Sequence, residues 1–145
     1  MKELLYLKDE QIKDLIEQLF YVYRETFSDA KKVLEKHSFG IAHQKVIHLI
    51  DRYEGITVSG LLIKLKITKQ SLNRVLKDLN NNKKIIIKKG EVDSRHRHIL
   101  LNERGKKLSN EIFFEQKKRI YRALKNSNSE AVIKFKEVLE KIING

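Results

Sequence analysis

The spacing of apolar residues changes abruptly after residue 81, and that change limits the folds this chain can adopt. Up to residue 81, apolar side chains recur every three or four positions, which is the period of an amphipathic helix. Ile85, Ile86 and Ile87 then form a β-branched run typical of a strand, and residues 98–101 form a second apolar run. Gly90 lies in the polar segment between them, as expected near a hairpin tip. The sequence therefore predicts several helices followed by one β-hairpin.

Two short helices are predicted immediately before the hairpin. Thr57 can cap a helix over 58–65, and Thr68 can cap another that continues to about residue 81. Because only two residues separate the first helix from the second cap, the pair is a helix-turn-helix candidate. A helix-turn-helix followed by a β-hairpin is a winged helix. We therefore expect a mainly α fold with a small β-hairpin wing.

Long amphipathic helices are also predicted on both sides of the winged-helix lobe. The chain has no proline, which favours unbroken helices. Three long helices around a small lobe need a partner for their apolar stripes, so we expect a homodimer. The predicted protomer is a single unit of 1–145, with a DNA-binding lobe at 39–101 and dimerisation helices in 1–38 and 102–145. The individual helices are predicted at 9–36, 41–53, 102–125 and 130–143.

Positive charge is concentrated in the middle of the chain. The net charge is +12, yet residues 1–55 carry nine Lys and Arg against ten Asp and Glu. Residues 56–101 carry eleven against three. A genome rich in A and T would raise the lysine content everywhere, so the uneven placement favours a phosphate-binding surface over compositional drift.

The second helix of the pair has two distinct faces. Its apolar side chains lie on one side, and polar side chains suited to base edges and phosphates lie on the other. Arginine can bridge the O6 and N7 atoms of guanine, and asparagine or glutamine can bridge the N6 and N7 atoms of adenine. The alternative is an ordinary solvated helix face. We predict DNA contacts from Thr68, Lys69, Gln70, Ser71, Asn73, Arg74 and Lys77. Of these, we expect Lys77 to reach only a phosphate.

The hairpin adds a second basic element. We predict DNA contacts from Lys88, Lys89 and Arg97, and we expect Arg95 to enter the minor groove, where the negative potential is concentrated. Asp93 is unusual in a basic loop because a carboxylate repels phosphate. Either it pairs with Arg95 and orients the guanidinium, or the two form an ordinary exposed ion pair of about 0–1 kcal/mol.

Several motifs resemble the MarR family of winged helix-turn-helix transcription regulators. The segment Asp93-x-Arg95 followed by Leu101-Asn-Glu-Arg-Gly105 is similar to the family's wing signature. The stretches Ile41-x-x-Gln44-x-x-Ile47 and Thr57-Val-Ser-x-Leu61 resemble its second and third helices, and the similarity extends over nearly the whole chain. A PetP-like subgroup is suggested by Phe39-Gly-Ile-Ala-His43 and Ile67-Thr-Lys-Gln-Ser-Leu-Asn-Arg-Val-Leu76.

The resemblance implies a bacterial homodimer on a pseudo-palindromic duplex operator, and often a ligand crevice between the dimer helices and the DNA lobe. The roles of Asp93 and Arg95 carry over because both residues match. Three positions depart from the family pattern, and at one of them Leu62 replaces a common small residue. Asn102 replaces the usual Thr and still suits a helix cap. Lys83 stands where the family commonly has Gly, and a left-handed backbone there would be strained.

Other functional classes find little support in the sequence. The chain has no cysteine, and His-Glu-x-x-His and carboxylates at metal spacing are absent, so we expect no disulfide, metal or cofactor. It has no nucleophile elbow, P-loop or dinucleotide fingerprint, so we do not expect an enzyme. The N-terminus lacks a secretory cleavage site, which favours a cytoplasmic protein.

Two questions stay open from the sequence. The first is whether a small-molecule effector binds, or whether the same residues simply pack at a helix junction; the candidates are Tyr21, Tyr23, His37, Phe39 and His43. The second is function. The first hypothesis is a sequence-specific, homodimeric DNA-binding regulator that acts as a repressor. The alternative is a winged-helix module for protein interaction or nonspecific DNA association.

Overall fold

The computed structural model describes residues 4–90 and 96–145, which form helices and one small antiparallel sheet. The predicted fold class, mainly α with a β-hairpin wing, is confirmed. A short 3₁₀ turn, Leu5–Leu7, precedes the helices and strands. The helices are α1 (Asp9–Ser28), α2 (Lys31–Glu35), α3 (Ile41–Arg52), α4 (Val58–Leu65), α5 (Lys69–Asn81), α6 (Glu103–Lys125) and α7 (Ser129–Asn144), and the strands are β1 (Ile56–Thr57), β2 (Ile85–Lys89) and β3 (Arg97–Leu101).

The prediction of one unbroken helix over residues 9–36 is wrong. Helix α1 ends at Ser28, and a separate short helix, α2, begins at Lys31. Ala30 lies between them with φ −99° and ψ 9°, and it is completely buried. Leu34, one turn later, is also buried in the same core. The chain turns here because burying these two side chains outweighs continuing the helix, a tertiary effect that helix periodicity does not reveal.

The sheet contains the predicted hairpin and one strand that the sequence did not predict. Strands β2 and β3 pair antiparallel, with Ile87 opposite Ile99. On the other side of β3, strand β1 places Thr57 opposite His98. The His98 ring also bonds through Nδ1 to the carbonyl oxygen of Gly55, at 2.9 Å. The backbone of β3 and the His98 side chain of the same strand therefore hold the two-residue strand β1 in place.

The chain divides into two compact units with different interiors. One unit comprises Met1–Asp29 and Phe114–Gly145, and the other comprises Ala30–Phe113. Among the described residues of the first unit none is buried, whereas the second contains the whole apolar core. We call the second unit the lobe and the first the helical unit. The core side chains are Ala30, Leu34, Phe39, Val46, Ile47, Ile50, Leu61, Leu72, Val75, Leu76, Leu79, Ile85, Ile99, Leu101, Leu108 and Ile112.

No helix in the described part of the chain is long and apolar enough to cross a membrane.

Candidate nucleic-acid interface

Helix α5 is fixed to the lobe by its apolar face. Leu72, Val75, Leu76 and Leu79, spaced three and four residues apart, are all buried, with Leu72 and Leu79 at 0% exposure. The helix begins at the predicted cap, because the Thr68 hydroxyl oxygen accepts a hydrogen bond from the Ser71 amide at 3.1 Å. Packing and capping together hold the opposite face of α5 in a fixed direction.

That opposite face carries the predicted DNA-contacting residues, and all of them are exposed. The side chains of Gln70, Asn73 and Arg74 make no hydrogen bond or ion pair to any residue within 4–90 and 96–145. The Thr68 hydroxyl, in contrast, bonds to the Ser71 hydroxyl at 2.8 Å as well as capping the helix. The exposed set is Thr68, Lys69, Gln70, Ser71, Asn73, Arg74 and Lys77.

A shallow pocket lies between α5 and the wing strands. Its volume is about 270 Å³, and Val58, Leu76 and Ile87 supply its apolar lining. Cationic side chains reach it from both sides, Lys77 from α5 and Arg97 from β3. This arrangement places positive charge from the helix and from the wing around one concave surface.

Asn73 and Asn80 also line this pocket, although only Asn73 was predicted as a site residue. Asn80 lies seven residues after Asn73 on the same helix, so the helical spacing that selected Asn73 and Lys77 could also have identified it.

The wing strands carry like charges opposite each other. Lys89 is paired with Arg97 across the β2–β3 ladder, and both side chains are exposed, as is Lys88. Like charges directly opposite on a sheet destabilise it unless an anion lies nearby. Asp93 and Arg95 lie outside the described residues, so their minor-groove role and the two alternatives for their pairing stay predictions.

One side-chain pair ties α5 to the start of α3. His43 accepts a hydrogen bond from the Gly40 amide through Nδ1, at 3.0 Å, so its other ring nitrogen carries the proton. That Nε2–H donates to the Asp78 carboxylate at 2.9 Å. Sequence reasoning missed this contact because the two residues are 35 positions apart and neither belongs to a recognisable motif.

Three of the five ligand candidates come together in the lobe. The Phe39 ring lies between His37 and His43, with ring centroids 5.7 and 4.6 Å away. Phe39 is buried and His43 has partners on both ring nitrogens. Burial, and next the charge of Lys84, lower the pKa of His37 below its ordinary value. These contacts favour ordinary packing for Phe39 and His43, and the effector hypothesis stays a prediction.

The other two ligand candidates belong to the helical unit. The Tyr21 hydroxyl donates to the Glu17 carboxylate at 3.0 Å, and this bond raises the pKa of Tyr21. The Tyr23 ring packs against Phe27 with centroids 4.8 Å apart. Both tyrosines are thus engaged with neighbours on their own helix.

The described residues contain no group of three or more histidine, aspartate or glutamate side chains that could hold a metal ion.

Fold and surface together define the chain as a winged helix-turn-helix protein. The second helix of its helix-turn-helix, α5, has an exposed face with positively charged side chains. No family model matches it. The HTH-type transcriptional regulator PetP of Rhodobacter capsulatus is 39% identical over 141 residues, which cover 97% of this chain and 85% of PetP. At that identity and coverage the chain belongs to the same family as PetP, the MarR family of transcriptional regulators.

Solved structures of low sequence identity share the fold. A MarR transcriptional regulator from Methanosarcina mazei matches with a TM-score of 0.75 at 20% identity, covering 91% of this chain and 95% of that protein. FabT of Streptococcus pneumoniae, solved in complex with DNA, matches with a TM-score of 0.74 at 15% identity, covering 92% of this chain and 95% of FabT. The fold that this chain shares with them therefore includes the flanking helices as well as the winged helix.

Proposed function

We propose that this protein is a transcription regulator that binds a specific duplex DNA sequence as a homodimer and represses by occluding a promoter. The observation that carries the proposal is helix α5, which has one face buried in the lobe and an opposite face of exposed donors. Such a helix can enter the major groove because the side chains of Gln70, Asn73 and Arg74 make no hydrogen bond or ion pair to other described residues. PetP is named as a transcriptional regulator, and FabT has been solved with DNA, which supports the same role here.

The side chains on α5 match the chemistry of base edges. Arg74 can donate two parallel hydrogen bonds to guanine, and Asn73 or Gln70 can pair with adenine. These residues lie in the N-terminal half of the helix, the part that reaches deepest into the groove in helix-turn-helix complexes. Lys77, three residues after Arg74 on α5, is suited to a phosphate.

The wing supplies a second set of contacts. Lys88, Lys89 and Arg97 are exposed on the strands beside α5. An anion near the opposed Lys89 and Arg97 side chains relieves their repulsion, so a DNA phosphate is the expected partner. The sequence predicts that Arg95 enters the minor groove, and the resemblance to the family gives Asp93 the role of orienting it.

The helical unit supplies the dimer interface. Its helices expose long apolar side chains, for example Ile16 and Phe20 at 61% each and Ile143 at 78%. Monomeric proteins seldom expose large apolar patches, and a second copy is the expected cover for these side chains. A two-fold dimer places two α5 helices on half-sites about one helical turn apart, hence a pseudo-palindromic operator. A regulator of this kind acts where the DNA is, in the cytoplasm.

The test is fluorescence anisotropy with two duplexes, the DNA upstream of the protein's own gene and a shuffled sequence, each at low and high salt. A duplex selected from a random library serves as a third probe if the operator lies elsewhere. We expect preference for the native or selected duplex, with a log–log salt slope of about 0.9 per neutralised phosphate.

Equal binding to all three duplexes would replace the proposal with a nonspecific DNA-associated module. If the protein bound none of the three duplexes at low salt, the remaining hypothesis would be that the winged helix is a protein-interaction module.

A further inference from the structure

A strained residue lies two positions after the end of α5, the helix that we propose reads the DNA sequence and call the recognition helix. Lys83 follows the last residues of α5 with φ +56°, in the left-handed region. Non-glycine residues adopt this conformation at a cost, because Cβ crowds the backbone. The turn closes the helix through two backbone bonds, from Lys83 N–H to Asn80 and from Lys84 N–H to Leu79, at 3.0 and 2.9 Å. Ser38 and Lys66 adopt the same conformation, and at Lys83 a side chain from another part of the lobe also bonds to the turn.

Asn102 makes the bonds that hold it. Its side-chain Nδ2–H donates to the carbonyl oxygen of Lys83 at 2.7 Å. Its backbone N–H donates to the carbonyl oxygen of Lys84 at 3.1 Å. Its Oδ1 accepts from the Gly105 amide at 2.8 Å, which caps α6. One residue thus joins the end of α5, the start of β2 and the start of α6.

The surrounding packing leaves little room for this junction to shift. A Cβ built on Gly105 would overlap the carbonyl oxygen of Lys84. The next residue, Ile85, is buried and pairs with Leu101 at the base of the wing. If Lys83 leaves the left-handed region, Lys84 and β2 must therefore move relative to α5.

We propose that Asn102 is a positioning residue for DNA binding: its side-chain amide holds the left-handed Lys83 and so fixes the recognition helix relative to the wing. The inference rests on the proposed function, because the geometry it fixes is that of the DNA-binding surface. It predicts that the requirement for the Asn102 amide disappears when residue 83 adopts the left-handed conformation without strain.

The experiment is a double-mutant cycle on DNA affinity. Asn102→Ser keeps an oxygen that can cap α6 but removes the amide that donates to Lys83. We expect it to weaken binding to the selected duplex about tenfold, the size of one lost hydrogen bond. Lys83→Gly removes both the strain and a positive charge, so it is the reference for the double variant. In that background Asn102→Ser should change the affinity by less than about twofold.

A matched control is available in the helical unit. Asn128 caps α7 in the same way, its Oδ1 accepting from the Ala131 amide at 2.7 Å. Asn128→Ser should leave DNA affinity unchanged. If Asn102 has a purely structural role, Asn102→Ser should lower the melting temperature but leave the DNA affinity unchanged at temperatures where the variant is folded. That result would overturn the inference. It would also be overturned if Asn102→Ser weakened binding equally in the wild-type and Lys83→Gly backgrounds.

A second measurement needs no DNA. Hydrogen exchange of the Lys84 amide reports whether the turn stays closed, since this amide bonds to Leu79. We expect faster exchange in Asn102→Ser and restored protection when Lys83→Gly is added. Unchanged protection in Asn102→Ser contradicts the inference. Failure of the wild-type protein to bind any duplex contradicts the proposed function instead, and the exchange result still decides the role of Asn102.

Discussion

The lobe and the helical unit contain similar amphipathic helices, but they differ in whether the apolar faces of these helices are buried within the protomer. The lobe packs sixteen buried apolar side chains into one core. In the helical unit the apolar residues of α1 and α7 recur at the same helical spacing, yet none that the structure describes is buried. The lobe therefore carries its own source of stability, whereas the helical unit needs its apolar surface covered from outside the protomer.

Polar contacts link α6 to the C-terminal end of α1 within the helical unit. Arg119 makes two bonds to the Asp29 carboxylate, at 2.7 and 3.0 Å, and the Gln116 amide donates to the carbonyl oxygen of Thr26 at 3.1 Å. The Arg119 side chain is 44% exposed, and exposed ion pairs contribute little net stability. These contacts orient α1 against α6 without replacing a core.

The largest expected effect comes from placing a charge on the apolar surface of the helical unit. Phe20→Glu would bury an unpaired carboxylate at the dimer interface, so we expect a monomer at micromolar concentration in sedimentation velocity. Ile63→Glu is the control, because Ile63 is 75% exposed on α4 of the lobe and should leave the dimer intact. A wild-type monomer, or an unchanged dimer in Phe20→Glu, would contradict the contrast between the units.

Matched leucine truncations separate the two sources of stability. Leu61 is completely buried in the lobe, and Leu61→Ala should lower the free energy of unfolding by about 2–5 kcal/mol without changing the dimer dissociation constant. Leu15 is 44% exposed, and Leu15→Ala should raise that constant about tenfold, since each copy loses part of a leucine's burial. Urea unfolding and sedimentation equilibrium measure the two quantities. The proposed difference between the two units would be contradicted if both variants changed only the free energy of unfolding, or only the dimer dissociation constant.

A pair of glycines tests how tightly the lobe is packed. An added Cβ at Gly105 meets the carbonyl oxygen of Lys84, whereas one at Gly40 meets nothing within 4 Å. Gly105→Ala should cost about 1–3 kcal/mol in thermal unfolding, the usual range for overpacking. Gly40→Ala should cost less than about 1 kcal/mol. Equal costs would show that the junction beside Lys84 tolerates displacement.

The smallest effect concerns two titrating side chains. Burial lowers the pKa of His37 in the lobe, whereas the bond to Glu17 raises the pKa of Tyr21 in the helical unit. Because the fold favours neutral His37, its contribution to stability is present above the unfolded pKa of about 6.5 and is lost as the pH falls through the folded value. NMR titration should give a His37 midpoint below 6.5, and a midpoint at or above it would contradict the assignment.

Features set by local spacing could be predicted from the sequence. The buried and exposed faces of α5, the Thr57 and Thr68 caps and the β2–β3 hairpin all follow from patterns within a few residues. The family followed from motifs of similar length. For the site, the sequence selected exposed side chains on α5 and the wing strands. The structure brings three of them, Asn73, Lys77 and Arg97, to the lining of one pocket.

Features set by distant residues could not be predicted. The break before Ala30 depends on burial in the lobe core, and β1 exists because Ile56 pairs with Ile99. The bond between His43 and Asp78 joins two helices that the sequence does not relate. Each of these depends on tertiary contacts, which override local propensity.

The central claim is that DNA binds to the lobe through α5 and not through basic charge in general. Arg74 on α5 and Arg122 near the end of α6 are both exposed arginines, one in each unit. The most direct test is anisotropy of the selected duplex with Arg74→Ala and Arg122→Ala, both checked as dimers by sedimentation. We expect Arg74→Ala to lose about 1–3 kcal/mol of binding free energy per contacted base pair, and Arg122→Ala to match the wild type. Equal affinity for the two variants would contradict the assignment of the DNA-binding surface.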